Sequence, residues 1–355
     1  MKFHHPLFPL KLFYQVFTGS LALIIGVLDI QGQPGPKVIN AAELYLKAHE
    51  NLKSLSAEDQ KLIAEFRAKG DDPNSKFAQS DLERLSQTIE PTFQLISEAS
   101  KAQNVDWPAD WQNPWWMDSG TLGKQLARAI VFKANMAINH EKYESAAQAY
   151  LTGIIMSRHV GQDGVFMLQL IEASSYRIII NDFARNITRF PGEVLAGFTS
   201  KLDCAPANQS MKEVFIAERR YANQLIQQQG APYPPELIKG FNEFYDQVVA
   251  WGDLPVREFE EKVNALGGSY QANTMVKALL PMLIRIRQQM AVHQTYTELF
   301  RLGLNVALSG PQAVEDSNDP FGEGAYEYIP LEGEAFAVRS QLKQKQKPVE
   351  LTFGL

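Results

Sequence analysis

The side chains best suited to hold a ligand cluster in one stretch. Trp107, Trp111, Trp115 and Trp116, four of the five tryptophans, fall within ten residues beside Pro108 and Pro114. Indoles presented on a loop stack on sugars or grip proline-rich peptide. They also anchor long loops onto helices, each burying roughly 150–250 Å², and both uses fit the spacing. A second group is acidic. Glu315, Asp316, Asp319 and Glu323 crowd a turn-rich stretch, and Asp316, Asp319 and Glu323 are candidate calcium ligands, although calcium needs about six to eight oxygens. The alternative is a plain acidic turn. A third pair, Glu141 and Glu172, would serve glycoside hydrolysis as acid and base if a cleft held them about 5–9.5 Å apart. Glu172 and Arg177 interrupt the apolar run Met167 to Ile180. Five residues apart, they share no helix face squarely, and each reads as a structural ion-pair member or as the lining of a polar cleft.

Other chemistries are disfavoured. None of His4, His5, His49, His140, His159 and His293 belongs to a His-Glu-x-x-His helix, and neither a Gly-x-Ser-x-Gly elbow nor a phosphate-binding Gly-x-x-x-x-Gly-Lys loop occurs. The single cysteine, Cys204, rules out an intramolecular disulfide and a thiolate-rich metal centre. It reads as a lone buried helical cysteine in preference to a nucleophile approached by a histidine. With 34 basic against 40 acidic residues and a net charge of -6, the chain is not built to neutralise nucleic-acid phosphates.

The elements that must position these groups are mostly helices. Apolar spacing of three and four residues runs from Val38 to about residue 308, punctuated by Ser56 as an N-cap, Gly70 as a stop and Asp81 as a second cap. Pro91 and Pro281 are expected to kink or split their helices. Residues 122–139 and 142–159 form a helical pair across a tight Asn139-His140-Glu141 turn. The composition then changes: 309–324 is rich in Gly, Pro, Asp and Asn, and Tyr326, Tyr328 and Ile329 face Phe336 and Val338 across Glu332-Gly333 as a hairpin. Lys343, Lys345 and Lys347, before a third strand at 349–353, read as a solvated connector in preference to a lipid-binding patch. The fold class is therefore mainly α, an irregular helical bundle with a small β-hairpin or three-stranded appendage at the C-terminus.

The N-terminus carries an address. Lys2 and Lys11 precede the uncharged run Leu12 to Leu28, the basic-then-apolar order of a secretory leader. As a helix the run is roughly 25 Å long, just short of a bilayer core of about 30 Å, so it suits either a signal peptide or a marginal anchor. Residues 1–32 are assigned to this segment, 33–310 to a helical domain and 311–355 to the β appendage. The expected location is outside the cytoplasm, periplasmic or envelope-associated, with membrane contact only through the N-terminal segment.

Three resemblances extend this reading. Tyr143, Ala146, Tyr150 and Gly153, with Ala134 on the preceding helix, resemble one tetratricopeptide-type helical pair. A single unit implies no regular array. The layout of the chain, including Ile89-Glu90-Pro91-Thr92-Phe93, Asp106-Trp107-Pro108 and Ser157-Arg158-His159, looks like that of a set of exported bacterial helical proteins, which implies architecture and export. Asp319-Pro320-Phe321-Gly322 before Tyr326-Glu327-Tyr328 is similar to the C-terminal segment of major pseudopilins, where such a turn adjoins a calcium site. Here the pilin-type N-terminal signature and the glycine- and aspartate-rich loop after Val338 are missing. The expected role is interaction or scaffolding with a protein partner in the cell envelope and no resident cofactor. The competing role is an exported enzyme on cell-wall or polysaccharide material, with the tryptophan loop as a glycan subsite.

Overall fold

The computed structural model describes residues 40–69, 78–103, 105–107, 122–162, 164–228 and 233–354. Their elements, in chain order, are α1 (Ala41–Lys53), α2 (Ala57–Lys69), α3 (Gln79–Ala99), α4 (Leu122–Asn139), α5 (Tyr143–Gly161), α6 (Phe166–Arg185), α7 (Gly192–Asp203), α8 (Met211–Gln228), α9 (Pro235–Ala250), α10 (Val256–Ser269), α11 (Thr274–Ser309) and α12 (Gln312–Glu315), followed by β1 (Glu327–Pro330), β2 (Phe336–Gln344) and β3 (Lys347–Phe353). The mainly helical class with a three-stranded antiparallel sheet stands as expected. No helix among the described residues is long and apolar enough to cross a membrane, and residues 1–32, expected to be a signal peptide or anchor, lie outside them.

Local chemistry sets most boundaries. Asn40 caps α1 by accepting from the Ala42 N–H, and the Ser56 hydroxyl accepts from Asp59 N–H at 3.1 Å to start α2. Asp81 sits inside the first turn of α3, whose N-cap position is Ala78. Both helices with an internal proline continue through it. Pro91 and Pro281 are exposed, as are Gln87 and Lys277 one turn earlier, so the carbonyl that loses its partner is hydrated and the break costs little geometry.

Helices α4 and α5 turn back on each other through a Schellman motif. Lys142 N–H donates to Ala137 C=O and Glu141 N–H to Ile138 C=O, with Glu141 in the left-handed region at φ 58°. Close approach of α4, α5 and α6 rests on small residues: Ala134 and Ala146 are fully buried, and a Cβ at Gly153 would press on Ile130 and Ile179. Phe183 of α6 forms the hub, stacked on Phe190 and Phe198 and edge-on to Tyr150 and Phe300.

The helices build two apolar cores. One gathers α1 to α7, the second half of α11 and the sheet; the other gathers α8, α9, α10 and the first half of α11, around Phe215 stacked on Phe259. Helix α11, 36 residues and roughly 54 Å long, serves both. The sheet packs its inward residues Phe336, Val338, Val349, Leu351 and Phe353 into the first core. Phe353 lies directly over Gly303 of α11, where a Cβ would overlap its ring. Strands β2 and β3 join as a tight hairpin, Gln344 opposite Lys347. The lysine stretch is thus strand and turn: Lys343 and Lys347 lie in strands, and Lys345 and Gln346, at φ 51° and 66°, form the turn. Two consecutive left-handed residues mark a type I′ geometry.

Candidate functional site

Of the four tryptophans, Trp107 belongs to the described residues; Trp111, Trp115 and Trp116 lie outside them. Trp107 acts as an anchor. Its Nε1–H donates to the His159 carbonyl at 2.8 Å and its ring stacks on Tyr45, centroids 6.1 Å apart. The Tyr45 hydroxyl in turn meets His159 Nδ1 at 2.9 Å. Burial pulls the His159 imidazole down to about 4 against the opposing pull of the Ala102 carbonyl, so the ring is neutral.

The acidic turn does not assemble a cation site. Asp316 and Glu323 are exposed, whereas Asp319 is buried and its carboxylate is already occupied. It accepts from Gln341 N–H at 2.6 Å, from the Ser340 hydroxyl at 3.0 Å and from Phe321 N–H at 3.0 Å. These donors fill the lone pairs a cation would need. Ser340 and Gln341 lie where the β2–β3 register shifts, so the aspartate uses an N–H that the irregular ladder leaves free. Among the described residues, no three His, Cys, Asp or Glu side chains converge as metal ligands.

The carboxylates imagined as acid and base are also separated. Glu141 is exposed in the turn before α5, while Glu172 lies against Gly161 at the far end of that helix. Nineteen residues of α5 place them roughly 27 Å apart. Arg177 stacks on Tyr296, its guanidinium carbon 4.2 Å from the ring centroid, and makes no pair with Glu172.

Glu172 instead belongs to a buried polar seam near the junction of the two cores. Its Oε1 is 3.6 Å from His293 Nε2 of α11, and Tyr176 stands edge-on to that imidazole with centroids 5.2 Å apart. Arg158 of α5 donates to Pro206 C=O at 2.5 Å, and burial lowers its pKa while Tyr176 and Glu172 oppose the shift. All four side chains are more than nine-tenths buried. Gln169 donates to Gly161 C=O and Gln209 Oε1, and Glu218 of α8 accepts from Phe166 N–H at 2.9 Å, capping α6 from outside. Glu218 is pushed up to about 7 by burial, with the Phe166 hydrogen bond pulling the other way. The chemistry of these side chains is to fix how α5, α6, α8 and α11 meet, since a misplaced buried charge is costly.

The surface offers grooves instead. One of about 400 Å³ opens over α3, α4 and the start of α5 and is polar, lined by Lys133, His140, Lys142, Ser86 and Ser145. Another, about 180 Å³, lies between α5 and α7. The two helices run the same way, because Tyr143 packs on Phe190 at one end and Arg158 bonds Pro206 at the other. The floor of this second groove is Ala147, Leu151, Val194, Gly197 and Phe198, with Glu144, Glu193 and Lys201 on the rim. The α7 contribution escaped sequence reasoning, although Val194, Phe198 and Lys201 follow helical spacing and Gly197 is a helix-interior glycine that its own helix does not require. Compared with protein-family models, curated proteins and solved structures, the chain matches none.

Proposed function

We propose that this is an exported, envelope-associated helical interaction protein that accepts a segment of a protein partner in the groove between α5 and α7. The observation that carries the reading is the groove itself: an apolar floor between two parallel helices, rimmed by charge. Helical partners use such grooves by laying an apolar face on the floor. Glu144 and Glu193 near its start favour a partner whose basic end lies there, with Lys201 further along. The basic and apolar order of residues 2–28 supports export.

Gly197 supplies the test. A Cβ there would meet nothing within 4 Å, so Gly197→Phe is accommodated at its backbone and places its ring over the groove, with α7 gaining from loss of a glycine. The expected result is a partner cross-linked to the wild-type chain in envelope fractions and recovered about tenfold less with Gly197→Phe, equivalent to ~1.4 kcal/mol. Equal recovery by the variant, or residence of the chain in the cytoplasmic fraction, overturns the proposal.

A further inference from the structure

The β2–β3 hairpin ends in a tip that carries three exposed lysines, Lys343, Lys345 and Lys347, none of which forms an ion pair among the described residues. The acidic residues of the sheet's middle are already used: Arg339 pairs with both Glu327 and Glu350. Its other exposed acids, Glu332 and Glu334, lie at the β1–β2 turn, the opposite end of β2. The sheet is therefore polarised, with its basic end unneutralised. Gln344 near the tip reaches Gln289 of α11, and Arg285, one helical turn before Gln289, is also exposed. This sets a fourth cation on the same side.

The turn is also costly. Lys345 and Gln346 both hold left-handed backbone at φ 51° and 66°, which Asn-Gly would adopt freely. Glycine is favoured at the second of these positions, which Gln346 holds beside the lysine. Lysine, a point charge on a flexible stem, suits a diffuse array of anions more than a single carboxylate, which the planar fork of arginine grips better.

We infer that the β2–β3 hairpin tip is a docking point for the anionic phosphate headgroups of a membrane surface, adding a second membrane contact to that expected of the N-terminal segment. It uses no residue of the α5–α7 groove and does not depend on that groove binding anything. Each lysine near an anionic leaflet contributes additively, so three together raise affinity roughly a hundredfold at moderate salt, and the gain fades as salt shortens the Debye length.

The test uses the full chain and sedimentation with two kinds of vesicle, phosphatidylcholine alone and phosphatidylcholine mixed with phosphatidylglycerol. The ratio of the two affinities divides out insertion of the apolar segment, and comparison with the variant divides out Lys2 and Lys11. The triple variant Lys343→Gln, Lys345→Gln, Lys347→Gln is expected to lower that ratio by roughly a hundredfold. Gln346→Gly, which relieves the turn and keeps every charge, should leave it unchanged while raising thermal stability. An unchanged ratio in a triple variant that melts like wild type overturns the inference and turns attention to an acidic protein surface. An equal loss in Gln346→Gly also overturns it, since turn geometry and not charge would then be responsible.

Discussion

Glu218 offers a direct measurement of the buried seam. Its carboxyl lies within the packed junction of α8 and α6, accepts from Phe166 N–H, and is held at about 7 by burial. In the unfolded chain a glutamate titrates near about 4.5. Between those values the folded state keeps a proton that the unfolded state has lost, so stability falls as pH rises. The contribution is fully present below about pH 4.5 and is lost as pH passes through about 7. A difference of ~2.5 pH units corresponds to about 3 kcal/mol. Glu218→Gln removes the ionisation and keeps an oxygen for Phe166 N–H. Urea unfolding of both proteins across this range, read as the difference between them, cancels every other titrating group. The expected difference is within ~1 kcal/mol near pH 4.5 and grows to about 3 kcal/mol in favour of the variant near pH 8. Hydrogen exchange at Phe166 N–H should stay protected in the variant. A pH-independent difference would refute the reasoning, because it would mean that the α6 N-terminus stabilises the ionised form as well as burial opposes it.

Two further substitutions probe how the framework is held. Gly303→Ala drives a methyl into the Phe353 ring and should cost about 1–3 kcal/mol in thermal unfolding, with near-ultraviolet dichroism of the stacked Phe336 and Phe353 pair lost first; unchanged stability would show that the sheet docks on α11 without this contact. Glu141→Gly at φ 58° in the α4–α5 turn should stabilise by about 1 kcal/mol, checked by the shift in melting temperature, and a loss of stability would mean that the glutamate side chain contributes something the backbone geometry does not.

Much of the helical framework was legible because burial dictates its spacing. The pair α4 and α5, their turn at Asn139 to Glu141, and the small residues Ala134, Ala146 and Gly153 all follow from local pattern. The helices across Pro91 and Pro281 were harder, since the sequence shows a missing N–H but not whether the orphaned carbonyl faces water. The lysine stretch was misjudged for a related reason: Lys345-Gln346 carries none of the glycine or asparagine that normally signals a two-residue hairpin, so only pairing of Gln344 with Lys347 exposes it. Trp107 was visible as an interacting residue, but its partner, the carbonyl of His159, is a product of tertiary packing.

The candidate site was less legible than the fold, because its members come from separate elements. Glu172 stood out as a charge in an apolar run, yet nothing local ties it to His293. Glu218 had a readable signal, sharing a helical face with Val214 and Tyr221, both buried. A charge on such a face conflicts with the pattern around it, and such conflicts concentrate where a structure gives up stability for something else. Among the described residues, positions of that kind include Glu218 in the seam, Glu141 in its left-handed turn, and Lys345-Gln346 at the hairpin tip. They differ in how the conflict is offset. Glu218 caps a helix from outside and Glu141 closes a Schellman motif, so each has an internal partner. At the hairpin tip the lysines form no ion pair among the described residues, and this is the difference on which the inferred membrane contact rests.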